Sequence, residues 1–288
     1  MVGYLEVLAA VSIWAFFNGI LVNGIKTSGV GVGTWTALVG IATFGITFIF
    51  SGNPLGGLAG HQLIALAGLG IAAALNNSCY YTALKISIPN AALFHYLAPL
   101  LVIFWVIFPI FYQPITGASM VALVIGFVGV AWIIGPNIRD GNKRLIILGF
   151  CSATFYSLEI VLSGLVSKKL NVSPDASAFT KLLFQALVMP IVGFMMPIVR
   201  IGPRESVKVQ DNKEWPKILI GGALLYLSFV LYFAGAQTVS DLHRGVLGYI
   251  DRIGAILLGA WYFRQPITKN ILIGGIFILG AGLIITFF

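Results

Sequence analysis

The sequence predicts an all-α integral membrane protein with ten transmembrane helices, arranged as two five-helix repeats of inverted topology. Three observations support this fold class. Hydrophobic residues make up 59% of the 288 residues and charged residues only 9%, whereas a soluble domain carries about 25% charge. The apolar residues form ten runs of about 20 residues, the length of a helix that crosses the hydrocarbon core. The tetrapeptide QPIT occurs twice, at 113–116 and 265–268.

The first apolar run is expected to be a helix that stays in the membrane and not a separate signal peptide. Short linkers such as "SGNPLGG" (51–57) separate the runs. Because these linkers are short, we expect neighbouring helices to be antiparallel. The predicted segments are 3–24, 32–51, 61–84, 88–111 and 115–136.

The second group of five segments follows the polar linker "GPNIRDGNKR" (135–144). This linker predicts two repeats, at 1–138 and 139–288. The long polar stretch "RIGPRESVKVQDNKEW" (200–215) is predicted to be a surface loop. The predicted segments are 144–166, 177–200, 215–238, 244–263 and 267–288.

Each QPIT opens the last segment of its group. Residues 92–116 can be aligned with 245–268 with a single-residue gap, which pairs Tyr96 with Tyr249 and Pro99 with Arg252. Because five is odd, the second copy enters the membrane from the opposite face. Inverted repeats are typical of secondary transporters, which bind substrate near the bilayer midplane.

The whole chain resembles the ten-helix EamA-type branch of the drug/metabolite transporter superfamily. The resemblance rests on QPIT at the start of segments five and ten, on Trp14 in "SIWAFF", and on "YLAPLL" (96–101). The family usually has an acidic residue at the positions of Gln113 and Gln265, and a proline at the position of Arg252. The resemblance implies a secondary transporter with cytoplasmic termini, and these departures leave its substrate open.

The distribution of basic residues predicts a different orientation. The linkers on one face carry twelve Lys and Arg residues, and those on the other face carry three, one of them Arg244. The positive-inside rule therefore places the first face in the cytoplasm and both termini outside. We adopt the charge count because it belongs to this sequence. The predicted location is the cell (inner or plasma) membrane, crossed several times.

Composition also narrows the partners and cofactors. The net charge of +8 comes from basic residues in short loops, which favours anionic lipid headgroups over nucleic acid. Cys79 and Cys151 lie inside apolar runs and predict neither a disulfide nor a metal site. No cofactor is predicted beyond coupling to a proton or another ion. The expected partners are the lipid bilayer and a small-molecule substrate, and a homodimer is left open.

The sixth segment carries a polar stripe. Ser152, Tyr156, Glu159 and Ser163 are spaced four, three and four residues apart, so they share one helix face. A buried charge in a membrane normally faces a cavity or a partner. The stripe therefore predicts a cavity lining in which Glu159 contacts a cation or takes part in proton coupling. The alternative is a Glu159 that serves only helix packing.

The ninth segment holds Asp251 and Arg252 near its centre. Adjacent helical residues point about 100° apart, so we do not expect these two to neutralise each other directly. Tyr249 and Arg252 share a face, and the planar guanidinium suits a carboxylate or phosphate. The alternative is a structural Arg252 paired with Glu159 or Asp251.

Other polar residues occur in the first, third and fourth segments at positions that can share a helix face. His95 stands four residues before Pro99, whose ring leaves a backbone carbonyl unsatisfied. Each of these residues can also serve packing alone. The remaining candidates are the i, i+4 pairs Trp14 with Asn18 and Asn77 with Tyr81.

Two further sets of polar residues are predicted to be structural. Lys181 and Gln185 pair at i, i+4, but Lys181 is close enough to a helix end to reach the membrane surface. Gln113 and Gln265 precede prolines at the membrane boundary, where Pro suits a first helical turn.

The leading functional hypothesis is secondary transport of a small polar metabolite, such as an amino acid or a similar zwitterion. Alternatives are an organic-anion or phosphate-ester exchanger that uses Arg252, with Lys181 as a second candidate for the anion, and more remotely a channel or a membrane-embedded enzyme. No ATP-binding loop, H-E-x-x-H or G-x-S-x-G motif occurs. The candidate substrate-binding residues are Trp14, Asn18, Asn77, Tyr81, His95, Tyr156, Glu159, Tyr249, Asp251 and Arg252.

Overall fold

The computed structural model describes residues 2–53, 55–95, 97–111, 117–139, 143–264 and 266–287. Within these ranges every regular element is a helix, which confirms the all-α fold class. Two π-helical turns, Phe17–Leu21 and Leu165–Lys169, extend the first and eighth helices. The α-helices are α1 Val2–Phe16, α2 Val22–Gly24, α3 Gly29–Ser51, α4 Gly60–Ile86, α5 Ile88–His95, α6 Ala98–Val106, α7 Gly117–Arg139, α8 Lys143–Gly164, α9 Pro174–Met195, α10 Trp215–Ala236, α11 Asp241–Phe263 and α12 Lys269–Phe287.

Seven helical stretches in the described ranges are long and apolar enough to cross a bilayer. Helix lies in each of the ten predicted segments, yet only these seven qualify as spans, so the number ten stays a prediction. The seven stretches are Val2–Gly24, Gly29–Ile46, Gly60–Ile86, Lys143–Lys169, Pro174–Met195, Asn212–Ala236 and His243–Phe263.

The fourth predicted segment is two short helices rather than one. α5 ends at His95, Leu97 lies in a turn, and α6 begins at Ala98 with Pro99 in its first turn. Proline disfavours the helical conformation at the residue before it and fits best at a helix start. With 8 and 9 residues, neither helix alone reaches across a hydrocarbon core. The break leaves His95 at a helix end.

Serine caps explain why two helices begin earlier than the apolar pattern predicts. Ser28 Oγ accepts a hydrogen bond from the Gly31 amide at 3.0 Å, so α3 begins at Gly29. Ser173 Oγ accepts from the Ala176 amide at 3.2 Å, and Pro174 opens α9. A side-chain oxygen at the N-cap satisfies one of the amides that the first turn leaves without a partner.

The first QPIT, residues 113–116, and Gln265 lie outside the described residues. The sequence predicted that the proline of this motif occupies the first turn of its helix. In the second copy the prediction was wrong, because Pro266 precedes α12, which begins at Lys269. Thr268 Oγ1 instead accepts a hydrogen bond from the Ile271 amide at 3.4 Å. The residue that caps α12 is therefore the threonine of the motif.

The main helix–helix contacts made by one half of the chain have counterparts in the other half. α4 packs along α8 and α9, as α10 packs along α1 and α3. α5 and α6 pack on α8, as α11 packs on α1, and α7 packs mainly against α12. Such reciprocity is expected of two repeats. The division at residue 138 and the inverted topology stay predictions.

The long polar loop closes one end of the helix bundle. The Glu214 carboxylate accepts hydrogen bonds from the Lys26 amide and, at 2.7 Å, from Thr27 Oγ1. Trp35 Nε1 donates to the Val207 carbonyl at 2.7 Å. The loop before α10 is thus fastened to the turn between α2 and α3.

Candidate functional site

A small polar cavity with a volume of about 30 Å³ lies inside the bundle. Ser228, which anchors one of its walls, stands near the middle of α10. Each lining side chain is buried. The lining residues are Trp14, Phe17, Asn18, Asn76, Asn77, Tyr80, Tyr81, His95, Tyr156, Glu159, Lys181, Leu225, Phe229, Asp251 and Arg252.

The cavity brings together nine of the ten residues that the sequence singled out. The exception is Tyr249, whose backbone lies in α11 but whose side chain is outside the described part of the structure. The nine residues come from α1, the first π-helical turn, α4, α5, α8 and α11. Their role in binding a substrate remains a proposal.

Glu159 on α8 forms an ion pair with Lys181 on α9. Lys181 Nζ lies 2.5 Å from Glu159 Oε1, and both side chains are at most 3% exposed. Asn76 Nδ2 donates to the other carboxylate oxygen at 3.1 Å. The prediction that Lys181 reaches the membrane surface was wrong. A buried carboxylate across the cavity attracts the ammonium more strongly than a distant interface.

Asp251 and Arg252 form a second buried ion pair, on α11. The prediction that these neighbours do not neutralise each other was wrong, because Arg252 NH1 donates directly to Asp251 Oδ2. The long arginine side chain can curl back across the 100° between adjacent helical positions. Asn18 Nδ2 donates to Asp251 Oδ1 at 3.0 Å, and NH1 also contacts the Gly248 carbonyl at 3.3 Å.

A chain of hydrogen bonds joins the two ion pairs. Arg252 NH2 lies 3.0 Å from His95 Nδ1, and His95 Nε2 lies 2.6 Å from Ser152 Oγ. Ser152 Oγ donates to Asn76 Oδ1 at 2.9 Å, and Asn76 donates to Glu159. Since a guanidinium can only donate, Nδ1 must accept, which makes His95 a neutral ring protonated at Nε2. Each group therefore donates toward Glu159.

Aromatic side chains form the walls around these charges. Trp14 is held by a 2.7 Å hydrogen bond from Nε1 to Ser228 Oγ. Phe229 and Trp14 lie beneath the Lys181 ammonium, whose nitrogen is 3.7 Å and 5.4 Å from their ring centroids. The Arg252 guanidinium lies 4.5 Å from the centroid of Tyr156. Aromatic faces stabilise cations in this geometry.

Several buried polar atoms near the cavity have no hydrogen-bond partner among the described residues. They are Asn18 Oδ1, the Tyr156 hydroxyl, and both polar atoms of the Gln185 side chain. Buried polar atoms are nearly always paired, so unpaired ones clustered in one place mark a site that a ligand or water completes. Asn18 and Tyr156 stand beside Asp251 and Arg252, where the second ion pair lies.

Six lining residues were not among the ten predicted substrate-binding candidates. Asn76 and Tyr80 directly precede the predicted pair Asn77 and Tyr81, and the doubled pattern "NNSCYY" was a signal for them. Phe17, Leu225 and Phe229 are apolar. In the sequence of a membrane helix, apolar residues that line a cavity cannot be told from apolar residues that face lipid. The sixth residue is Lys181.

Arg244 lies in a second buried ionic cluster, although the sequence analysis placed it in a linker. It is within α11 and fully buried. Its guanidinium donates to Asp241 Oδ1 and to Ser163 Oγ, each at 2.6 Å. Lys168 Nζ lies 3.8 Å from the same Asp241 oxygen. Because Asp241 follows α10 and Glu214 precedes it, this cluster closes the end of the bundle opposite the polar loop.

The cavity offers no metal site in the described ranges, where no three His, Cys, Asp or Glu side chains converge. Its two carboxylates, Glu159 and Asp251, face cations instead. With His95 neutral, the two carboxylates balance Lys181 and Arg252, and the charged side chains of the cavity sum to zero.

Comparison with known proteins agrees with this architecture. The model of the EamA-like transporter family matches residues 143–287, just over half of the chain. Protein PecM of Dickeya dadantii (strain 3937) is 24% identical over 251 residues, which cover 86% of this chain and 81% of that protein. An uncharacterized transporter of Archaeoglobus fulgidus is 28% identical over 223 residues, covering 76% and 75% of the two chains.

A protein of known crystal structure has the same fold. The two superpose with a TM-score of 0.67 at 18% identity, over 99% of this chain and 96% of the other. The fold, the transmembrane composition and the family match agree with one another. The chain belongs to the EamA-like transporter family and is a membrane transporter, not an enzyme.

Proposed function

We propose that the protein is a secondary active transporter that carries a small zwitterion, such as an amino acid, by alternating access between two inverted five-helix halves. The observation that carries this proposal is the charge balance of the central cavity. Two carboxylates and two cations line one buried space, and a neutral zwitterion can exchange partners with them without adding net charge. An ion brought into the same space would leave a charge unpaired at a high desolvation cost.

The positions of the groups suit the two ends of such a substrate. Arg252 offers its planar guanidinium to a carboxylate, and the unpartnered Tyr156 hydroxyl stands beside it. Glu159 or Asp251 accepts the ammonium, and the free Asn18 Oδ1 adds an acceptor next to Asp251. An amino acid would therefore find a partner for each of its charged groups.

The aromatic walls suit an apolar side chain on the same substrate. Trp14 and Phe229 lie on one side of the cavity, and Phe17 contacts Tyr81 with ring centroids 5.7 Å apart. Ligand sites combine such apolar surfaces with a few polar groups that fix orientation. Both features support a small zwitterion with an apolar portion.

A second candidate is the exchange of organic anions or phosphate esters. The observation that favours it is the presence of two cations, Lys181 and Arg252, on one cavity. Each cation already faces a carboxylate, however, so an anion would give the cavity a net negative charge. This balance ranks the anion exchanger second.

Alternating access is supported by the closures at the two ends. The Glu214 contacts fasten one end, and the Arg244 cluster fastens the other. Opening one closure at a time would expose the cavity to one face of the membrane. A channel would instead need a polar path open at both ends.

Uptake into liposomes tests the proposal. Purified protein would be reconstituted and offered labelled amino acids in one arm and labelled phosphate esters or dicarboxylates in another. We expect saturable amino-acid uptake. We also expect Arg252→Ala and Glu159→Gln to reduce it at least about tenfold, since a hydrogen bond to a charged group contributes about 1.5–3 kcal/mol.

The exposed Lys213 provides a matched control, because Lys213→Gln removes a cation far from the cavity and should leave uptake unchanged. Preference for anions would support the second candidate. Uptake that never saturates would favour a channel, and unchanged uptake in Arg252→Ala would remove the assigned role of this arginine.

A further inference from the structure

The environment of the Lys181 ammonium is that of a bound ligand. It lies against the Glu159 carboxylate and over the Phe229 and Trp14 rings, in a space that is almost completely buried. A carboxylate and aromatic faces together are the chemistry that recognises an alkylammonium ion. Glu159, Phe229, Trp14 and the Asn76 amide thus form an ammonium cage that a side chain of the protein occupies.

Lys181 also has a second position that its ammonium can reach. Gln185 lies four residues further along α9, on the same helix face. Its side chain is fully buried, and neither of its polar atoms has a partner among the described residues. The Gln185 carbonyl oxygen can therefore accept the ammonium if another cation takes its place beside Glu159.

We infer that the Lys181 ammonium occupies the binding position of the substrate's ammonium when no substrate is bound. The ammonium of an incoming substrate displaces that of Lys181 from Glu159 toward Gln185. This inference rests on the proposed function and names the substrate group that Glu159 binds, a primary alkylammonium. It also identifies what neutralises Glu159 when no substrate is bound.

The ion pair between Lys181 and Glu159 also allows the empty carrier to reorient. An empty carrier with an unpaired buried carboxylate cannot pass through a closed state without a large desolvation cost. With Lys181 on Glu159 and Arg252 on Asp251, both carboxylates of the empty cavity are paired, and its lining side chains are buried. The empty carrier can therefore reorient, and the protein carries out net transport without requiring a counter-substrate.

Thiol labelling of the empty protein tests this inference without any substrate. A reporter cysteine, Asn77→Cys, would face the cavity in a background with Cys79→Ser and Cys151→Ser, which replace both native cysteines. A membrane-impermeant thiol reagent would be applied to right-side-out and to inside-out vesicles. We expect labelling from both sides when Lys181 and Glu159 are intact.

The Lys181→Ala variant should be labelled at least about tenfold more slowly from one side, because its unpaired carboxylate holds the cavity open to water on the other. Adding n-propylammonium, which matches the deleted part of the side chain, should restore two-sided labelling, whereas sodium at equal ionic strength should not. Lys181→Ala combined with Glu159→Gln should be labelled from both sides without the amine.

Two-sided labelling of Lys181→Ala alone, or the absence of an amine effect, would overturn the inference. The native chain supplies an independent measurement. Uptake of labelled amino acids into empty vesicles should proceed within about threefold of uptake into vesicles preloaded with unlabelled amino acids. Uptake that requires preloading contradicts the inference. Uptake in neither arm contradicts the proposed function, and the labelling experiment then decides the inference by itself.

Discussion

Three of the four charges in the central cavity are held by a neutral polar side chain as well as by an ion partner. Asn76 donates to Glu159, Asn18 donates to Asp251, and Arg252 donates to His95. Such contacts fix the direction in which each charge points and strengthen one another in a medium of low dielectric constant. The neutral residues therefore position the groups that we propose bind substrate.

Ser152 is the middle member of the hydrogen-bond chain, and its removal tests the chain. Ser152→Ala leaves His95 Nε2 and Asn76 Oδ1 without their partner. We expect a loss of about 1–3 kcal/mol in unfolding free energy, the cost of unsatisfied buried polar groups. Thermal and denaturant unfolding in detergent would measure it.

Thr154 provides the control on the same helix. Among the residues that the structure describes, its hydroxyl donates back to the Phe150 carbonyl at 3.0 Å and has no other partner. Thr154→Ala should change the unfolding free energy by no more than about 0.5 kcal/mol. If the two substitutions lower the unfolding free energy equally, the hydrogen bonds of Ser152 to His95 and Asn76 do not stabilise the protein.

At the scale of helices, close contacts through glycine position the site. Gly149 on α8 faces Phe94 on α5, and a Cβ at Gly149 would lie 2.3 Å from the Phe94 ring. Phe94 directly precedes His95, so the contact that seats α5 on α8 also sets the place of the histidine ring. Small residues allow this close approach between membrane helices.

Gly149→Ala should therefore disturb both stability and transport. We expect a loss of about 1–3 kcal/mol, as is usual when a well-packed contact is overfilled, together with reduced uptake through displacement of His95. Gly68→Ala on α4 is the matched control, since its Cβ would meet no atom within 4 Å. If the two variants have the same melting temperature and the same uptake rate, the Gly149 contact does not position the site.

At the scale of the whole molecule, the structure removes one arginine from the count of basic residues that predicts membrane orientation. Arg244 is fully buried in α11 and therefore places no charge at the membrane surface. Without it, the less basic face carries two Lys or Arg residues in place of three, against twelve on the other face. The charge asymmetry becomes larger, and its direction is unchanged.

The orientation predicted from charge is open to a direct test. A reporter enzyme that is active only outside the cytoplasm, fused to the C-terminus, should be active. A reporter active only in the cytoplasm, fused at the same position, should be inactive. The reverse pattern would favour the cytoplasmic termini that the family resemblance implies.

The sequence by itself determined the fold class, the family and most of the cavity lining. Membrane helices place few polar residues in apolar runs, so residues such as Glu159 and Arg252 were conspicuous against a background of 59% hydrophobic residues. Periodicity then assigned the stripe Ser152, Tyr156, Glu159 and Ser163 to one face, and all four residues are buried inside the protein. Local information was sufficient for these inferences.

Only the tertiary structure decided which charges pair. Glu159 on α8 pairs with Lys181 on α9, because both helices pack against α4 and so bring the two side chains together. Arg252 pairs with its neighbour Asp251 through the conformation of its long side chain, which helical periodicity does not specify. Helical periodicity gives the face of a residue but not the residue across the cavity from it. Electrostatic pairing depends on the distance between the charges and on burial.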